Sequence, residues 1–324
     1  MVEALSVEPW SSAKMRDDSA TRVGRFLSGV VLPVWLFAVA GCSREAPRAD
    51  SPPPRRESVK NIKKVEKAKD SLRGAQQNED AETYVKPFTL PEKEFQIELA
   101  PGVVVEFVGI SPGSFMMGNN VEGVRRHRET IAEPYYLGKY EVTQQQWQAL
   151  MGNNPSLHKG PPNRPVERVD WDDCQTFLQK LNEKCGGSGR KFGLPSEAQW
   201  EFACRSGIAL RFNSTDNPDK IGDYAWYGLN AQLETHPVGQ KKPNAWGLYD
   251  MHGNVAEWCA DNAANTSEGK LAGNTDPSGS GEFHVVRGGL WRDNAPAVTS
   301  MSRLVRRATV PLRFDGFRVM AAQK

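Results

Sequence analysis

The pattern of apolar and polar positions along the chain changes near Phe95. Before that residue, an uncharged and mostly apolar stretch at 26–41 is followed by a polar segment rich in proline and charged residues. After it, apolar residues occur in short groups separated by glycine, proline and asparagine, which predicts short strands and helices joined by many loops. We therefore expect one globular domain at 96–324, preceded by a polar linker at 42–95.

Local patterns place several elements in this domain. The valine-rich run at 103–108 predicts a strand, and 113–118 predicts a short strand between two turns. Thr143 and Ser196 each precede a glutamine by three positions, as in a capping box, and Asp170 is the expected N-cap of another helix. The chain beyond the third helix has only short apolar groups and is expected to be mostly loop. The predicted fold class is α+β with few regular elements.

The apolar stretch at 26–41 is shorter than the roughly 20 residues that a membrane span needs. It follows two arginines and predicts a signal peptide at 1–41, with Met15 as an alternative start. The sequence Val-Ala-Gly-Cys that ends at Cys42 is similar to a bacterial lipobox, in which the cysteine receives lipid. We therefore expect a lipoprotein of the bacterial cell envelope, anchored on the periplasmic face of the outer membrane. An ordinary signal peptide with a chance cysteine is the alternative.

Charge and cysteine content narrow the classes of function. The 41 basic and 39 acidic residues nearly balance, so no nucleic-acid partner is expected. Lysines of the linker are expected in a solvated spacer, with contact to lipid headgroups or cell wall as the alternative. If Cys42 is the anchor, four cysteines remain for the domain. One disulfide among Cys174, Cys185, Cys204 and Cys259 suits an oxidising envelope, but the sequence leaves its pairing open.

Seven motifs follow one another in order through the domain. They are GSFMMG at 113–118, YEVT at 140–143, RPV at 164–166, LPSEAQWE at 194–201, PNAWGLYDMHGNVAEW at 243–258, RGG at 287–289 and GFR at 316–318. This ordered set resembles the formylglycine-generating enzyme (sulfatase-modifying factor) family. The resemblance implies a variant of the C-type lectin fold, with long loops that are held partly by calcium.

The resemblance also implies a calcium-binding segment. In it, Asp250 and Glu257 supply side-chain oxygens, and Gly253 and Val255 supply carbonyl oxygens. Calcium takes six to eight hard oxygen ligands of these kinds, so the residue types suit the ion. From the residues alone, Asp250 as a turn former and Glu257 as a solvated acid are the alternative.

Family members that make formylglycine bind copper(I) through two cysteines that follow the Arg-Gly-Gly motif closely. By the resemblance, Asp293 and Val298 stand at these two positions, and Leu290 replaces a serine. Copper(I) requires soft thiolate ligands, which aspartate and valine do not provide. We therefore expect no catalytic residue at these positions, no copper and no formylglycine generation by the copper route.

Two classes of function remain. In the first, the domain binds a peptide, a protein or a glycan in a groove near Trp291, Arg292, Asp293 and Arg318. Arginines would clamp a carboxylate or peptide backbone, and the indole ring would stack on an apolar side chain or sugar. Core packing of Trp291 and an internal ion pair of Arg318 are the alternatives for these two residues.

The second class is a metal-dependent oxidoreductase of the same family that oxidises a protein or a small molecule. Acid and histidine ligands such as Asp293, His252 and His284 would then hold a metal such as iron. Nothing in the sequence brings these three residues together, so we favour the binding or envelope-assembly role.

Overall fold

The structure, a computed structural model, describes residues 92–118, 126–212, 216–263 and 282–323. All of them belong to the second of two units, Val59–Lys324, whereas the first unit is Met1–Ser58. The predicted signal peptide, the lipidation site Cys42 and most of the predicted linker lie outside the described residues. Within the described ranges, no helix is both long enough and apolar enough to cross a membrane.

The regular structure of the described residues consists of many short strands and three α-helices. The strands are β1 (Glu94–Ala100), β2 (Val103–Ile110), β3 (Gly113–Met117), β4 (His127–Ile131), β5 (Tyr135–Gly138), β6 (Arg190–Gly193), β7 (Ala256–Asn262), β8 (Phe283–Arg287), β9 (Arg303–Arg307), β10 (Asp315–Gly316) and β11 (Met320–Gln323). The helices are α1 (Gln144–Met151), α2 (Trp171–Lys184) and α3 (Glu197–Arg205). Short 3-10 helices cover Pro218–Asp223 and Ala295–Ala297. The predicted α+β class, with long loops, is confirmed.

Each α-helix begins at the residue that the sequence predicts. The Thr143 and Ser196 side chains accept hydrogen bonds from the backbone N–H groups three residues later, and Asp170 does the same for α2. All three starts are complete capping boxes, because the side chain of the third residue also bonds the N-cap backbone. The helix starts are thus fixed by local sequence.

The larger sheet has the strand order β1-β2-β5-β11-β6, and all neighbouring strands are antiparallel. The C-terminal strand β11 lies between β5 and β6, with Met320 opposite both Leu137 and Gly193. Helices α1 and α2 pack against this sheet through Trp147 and Phe177, whose rings stack with centroids 5.5 Å apart. The C-terminal strand β11 therefore completes a sheet whose other strands all come from the N-terminal half of the domain.

A second sheet has the order β10-β7-β8-β9 and lies in the part of the chain where mostly loop is expected. The pairs β7–β8 and β8–β9 are antiparallel, and the two-residue β10 runs parallel to β7. The sequence Arg-Leu-Val-Arg-Arg of β9 shows no clean alternation, because two of its arginines bond carboxylates from α3 and β10. Most described residues beyond Gly207 are still loop, as expected, but the sequence did not indicate that the short strands among them form one sheet.

Candidate functional site

Buried ion pairs join helix α3 to the second sheet. Glu201 pairs with Arg287 at the end of β8 and with Arg205, whose Nη2 lies 2.7 Å from Glu201 Oε1. Glu197, one turn earlier, accepts a hydrogen bond of 2.8 Å from Arg303 Nε on β9. All five side chains are buried, so removal of one partner would leave an unpaired charge without water. This network fixes where the chain leaves β8.

The loop that follows β8 folds tightly back on itself. Gly289 has φ of 74°, and a Cβ there would lie 2.5 Å from the carbonyl oxygen of Ala297 and 2.8 Å from a methyl group of Val298. Asp293 closes the turn, since its N–H donates to the Leu290 carbonyl at 2.9 Å and its carboxylate accepts from the Leu290 N–H at 3.2 Å. The Arg-Gly-Gly motif is therefore a structural device that shapes this loop.

A pocket of about 500 Å³ opens between this loop and β9. Its lining consists of Leu290, Arg292, Asp293, Asn294, Pro296, Ala297, Ser302, Arg303, Leu304 and Arg306. Burial raises the pKa of Asp293, and the nearby guanidinium groups of Arg292 and Arg306 oppose that shift. The pocket therefore combines three arginines with one carboxylate that the loop already holds.

The structure separates the four predicted ligand-binding residues into two pairs. Arg292 and Asp293 line the pocket. Trp291 is only 5% exposed, and its ring packs edge-on against His158 at 5.3 Å between ring centroids. The Trp291 backbone N–H donates to the Asn254 carbonyl, and Trp291 is not among the residues that line the pocket. An exposed stacking role for Trp291 is therefore corrected to core packing.

Arg318 is fully buried and forms an internal ion pair. Its Nε and Nη2 each lie 2.6 Å from an oxygen of Glu257, and its Nη1 donates to the Gly138 carbonyl. The guanidinium has no exposed surface with which to clamp a ligand. The ligand-binding expectation for Arg318 is corrected accordingly, and Glu257 is a buried acid instead of a solvated one.

The two positions that the resemblance assigns to the copper-binding cysteines have different surroundings. Val298 is fully buried in a small cluster with Phe212, Ile221, Ala225 and Tyr227, whereas Asp293 is half-buried at the pocket. The four described cysteines are free thiols. Burial raises the thiol pKa of Cys174, Cys185, Cys204 and Cys259, which disfavours the thiolate.

The predicted calcium segment forms a turn with left-handed residues. Asp250, Gly253 and Asn254 have φ of 54°, 72° and 56°. The Asp250 Oδ2 accepts a hydrogen bond of 2.7 Å from the Gly239 N–H, while its Oδ1 is buried without a hydrogen-bond partner. Burial raises the pKa of Asp250 to about 6. One carboxylate oxygen therefore stays available in a place where water does not reach it.

Glu141 is a member of this cluster that the sequence interpretation missed. Its oxygens accept hydrogen bonds from the Asn254 side chain at 2.7 Å and from the Val255 N–H at 3.1 Å. Burial, and then the negative charges of Asp250 and Glu257, raise its pKa well above the usual range. Its position in the YEVT motif, two residues before the Thr143 cap of α1, is the signal that was available. Three buried carboxyl groups thus share the charge of one buried guanidinium.

The acid and histidine ligands of the alternative metal hypothesis lie in different surroundings. His252 is buried 3.8 Å from the Cys204 sulfur, and burial lowers its pKa to about 3. His284 stacks on Trp171, with ring centroids 4.0 Å apart. Across the described ranges, no three His, Cys, Asp or Glu side chains form a group that could hold a metal ion. A calcium site at the Asp250 segment would therefore need backbone carbonyl oxygens in addition to carboxylate oxygens.

Comparison with known proteins defines the class to which this fold and site belong. A family model described as the sulfatase-modifying factor enzyme 1-like domain matches residues 96–323. This range is more than half of the chain and contains both the arginine-lined pocket and the Asp250 segment. The chain therefore belongs to this family, and the resemblance seen in the motifs is confirmed.

Individual relatives support the assignment. The chaperone protein LppX of Paenibacillus barcinonensis is 36% identical over 39% of this chain and 61% of its own length. The formylglycine-generating enzyme of Streptomyces coelicolor is 33% identical over 41% of this chain and 43% of its own length. This chain thus spans less than two thirds of either relative. The solved structure of Treponema denticola variable protein 1 is 29% identical with a TM-score of 0.63, covering 72% of this chain and 100% of that one. The C-type lectin-like fold is confirmed.

Proposed function

We propose that this chain is a binding or assembly module on a formylglycine-generating-enzyme-like scaffold, attached to the bacterial envelope by lipid on Cys42. The observation that carries the proposal is the replacement of the implied cysteine pair by Asp293 and Val298. The valine is part of a buried cluster and the aspartate closes the Leu290 turn, so neither offers a soft ligand. These residues do not fit copper(I), and we derive no reaction step from it.

The pocket supports a binding role at the same place. It lies directly beside the loop that carries Asp293, and its volume of about 500 Å³ is within the range of small-ligand and side-chain sites. Arg292 and Asp293 would contact a peptide, protein or glycan, while the buried Trp291 and Arg318 hold the surrounding chain in place. The ligand would thus occupy the region that the implied cysteine pair occupies in oxidising relatives.

The name of one relative supports a role in assembly. LppX is named a chaperone protein, which supports a role in handling another polypeptide. Lipidation at Cys42 would place this domain at the periplasmic face of the outer membrane, beyond a linker long enough to let it reach partners. The membrane and a peptide or protein ligand are therefore the partners that we propose.

Calcium fits the Asp250 segment as a structural ion. The Asp250 Oδ1 is buried and unpartnered, and three buried carboxyl groups face one guanidinium. Asp250 and Glu257 would supply side-chain oxygens, and Gly253 and Val255 carbonyl oxygens. Glu257 would share an oxygen with Arg318, which it already bonds. When bound, the ion would offset the charge of the cluster and fix the turn.

The test is retention of short random peptides, including Cys-x-Pro-x-Arg peptides, on the purified domain, followed by their mass analysis. We expect retention with unchanged mass and no oxygen consumption. Asn294→Trp, which fills the mouth of the pocket, should abolish retention, whereas Gln148→Trp on an exposed position of α1 should not. Cysteine oxidation in the recovered peptides, or retention that survives Asn294→Trp, would contradict the proposal.

A further inference from the structure

Arg292 is a charged residue that the fold itself does not use in an ion pair. It is exposed at the pocket, and its guanidinium carbon lies 4.0 Å from the centroid of the Phe314 ring. Among the residues that the structure describes, it forms no ion pair. A guanidinium held over an aromatic face keeps its charge and its N–H donors, and it loses little side-chain freedom when a ligand binds.

The other charged groups of the pocket already have partners. Arg303 Nε lies 2.8 Å from Glu197 Oε1, and Arg306 Nε lies 3.3 Å from an oxygen of the buried Asp315. The one lining carboxylate, Asp293, accepts a hydrogen bond from the Leu290 N–H. Both ion-pair partners, Glu197 and Asp315, lie beneath the surface and outside the pocket lining. Among the described residues, Arg292 is therefore the lining arginine whose charge has no ion-pair partner in the fold.

From this arrangement we infer that the pocket recognises a carboxylate on an acidic peptide, with Arg292 as the main charge partner and Arg306 as a second donor. This inference rests on the proposed binding function and specifies its ligand. A planar guanidinium matches a carboxylate with two parallel hydrogen bonds, which gives direction as well as affinity. Arg306 keeps part of its side chain exposed beside the pocket, with a side-chain exposure of 22%.

The rest of the lining favours a peptide over a glycan. Sugar sites commonly present an exposed aromatic ring, but no lining residue is aromatic and Trp291 is buried. Leu290, Pro296, Ala297 and Leu304 instead give the pocket apolar walls suited to aliphatic side chains. Leu229, 85% exposed, follows Gly228, whose N–H donates to the Asp293 carbonyl at 2.7 Å. An exposed leucine therefore stands next to the pocket.

The experiment uses an array of short random peptides, in which each peptide occurs in two versions. One version keeps its Asp and Glu residues, and the other has Asn and Gln in their places. The purified full chain should retain the acidic member of each pair about tenfold more strongly, since the free energy of a hydrogen bond to a charged group corresponds to about this factor in affinity. Arg292→Gln should remove most of that preference. Arg313→Gln is the matched control, because its guanidinium lies 5.1 Å from the same Phe314 ring centroid but does not line the pocket.

Each outcome has a separate meaning. Loss of acidic preference in Arg292→Gln alone, with an unchanged melting temperature, supports the inference. Equal retention of both members of a pair overturns it and leaves the binding function standing. Stronger retention of an acidic polysaccharide than of any peptide overturns the peptide class. If the unsubstituted full chain retains no peptide, both the inference and the proposed function fail.

Discussion

Buried arginines connect residues that are far apart in the chain. Arg287 bonds Glu201 of α3, and Arg318 bonds Glu257 at the start of β7. Each of these four residues belongs to a different one of the seven motifs. Motifs that occur in a fixed order along the sequence are therefore held together by charge in the fold, which explains why they occur as a set.

The first prediction concerns Arg287. Arg287→Met should lower the free energy of unfolding by about 3–5 kcal/mol, because Glu197 and Glu201 lose a buried cation. Denaturant unfolding measures the change. Arg307→Met is the control, since Arg307 pairs with Glu282 at the surface and should cost less than about 1 kcal/mol. Equal losses of unfolding free energy in the two variants would show that the buried ion pairs of Arg287 do not stabilise the fold more than a surface pair does.

The second prediction concerns pH. Burial raises the pKa of Asp315 to about 6, with Arg306 as its opposing partner. The folded state therefore binds this proton more tightly than the unfolded chain, and stability contributed by Asp315 falls as pH rises from about 4 to about 6. Asp315→Asn should flatten this part of the stability profile by on the order of 3 kcal/mol, at about 1.4 kcal/mol per pKa unit. Parallel profiles for variant and parent would refute the assignment.

At the residue scale, the sequence predicted contacts between chain neighbours better than contacts between residues that are distant in the chain. Arg292 and Asp293 do meet at one pocket because they are neighbours in the chain. Trp291 and Arg318 differ from expectation, since their burial depends on residues such as Asn254 and Glu257 that lie far away in sequence. Glu141 was missed for the same reason. Long-range pairing is not encoded in any local pattern.

At the scale of elements, local chemistry determined the helices and long-range pairing determined the sheets. The starts of all three α-helices in the described ranges were predictable, because capping boxes act within four residues. The second sheet was not, because β10 has only two residues and β9 is mostly charged. Such strands are stabilised by their neighbours in the sheet and leave little periodic signal.

The third prediction concerns the loop after β8. Gly289→Ala combines a left-handed backbone with a Cβ that would lie 2.5 Å from the Ala297 carbonyl. The substitution should lower the free energy of unfolding by about 1–2 kcal/mol because of the backbone conformation. The overlap of the Cβ with the Ala297 carbonyl should lower it by about 1–3 kcal/mol more. Gly102→Ala has the same φ of 74° but no atom within 4 Å, so it isolates the backbone cost. Thermal unfolding of both variants decides, and equal costs would rule out the close approach.

At the scale of the whole molecule, membership of the sulfatase-modifying factor family accounts for the fold. We propose that Asp293 and Val298, at the positions implied for the cysteine pair, separate this chain from the copper route. The ordered motifs predicted the family, and several of them form a turn, a helix cap or a buried ion pair in the fold. The ligand was not predictable, because the pocket forms between a loop and a strand that the sequence did not indicate.

The fourth prediction concerns calcium. Chelation should lower the melting temperature by several degrees, because the cation no longer offsets the carboxyl groups of Glu141, Asp250 and Glu257. Asp250→Ala should remove most of this shift. Asp223→Ala is the control, since Asp223 pairs with Lys242 at the surface. A melting temperature that chelation leaves unchanged, in protein without calcium, would contradict the site.

The fifth prediction concerns attachment to the envelope. Cys42→Ser in the full chain should move the protein from the membrane fraction to the soluble fraction, because lipid can no longer be attached. Cys185→Ser, a half-buried thiol of the domain, should leave the membrane fraction unchanged. Fractionation followed by immunodetection measures both. An unchanged membrane fraction for Cys42→Ser would show that the anchor lies elsewhere.

The central claim is that this scaffold binds a partner and does not oxidise one. It is tested most directly by the metal content of the protein purified without chelators. We predict calcium bound to the domain and neither copper nor iron in stoichiometric amount. One equivalent of copper or iron per chain, retained through purification, would contradict the account and favour a metal-dependent oxidoreductase.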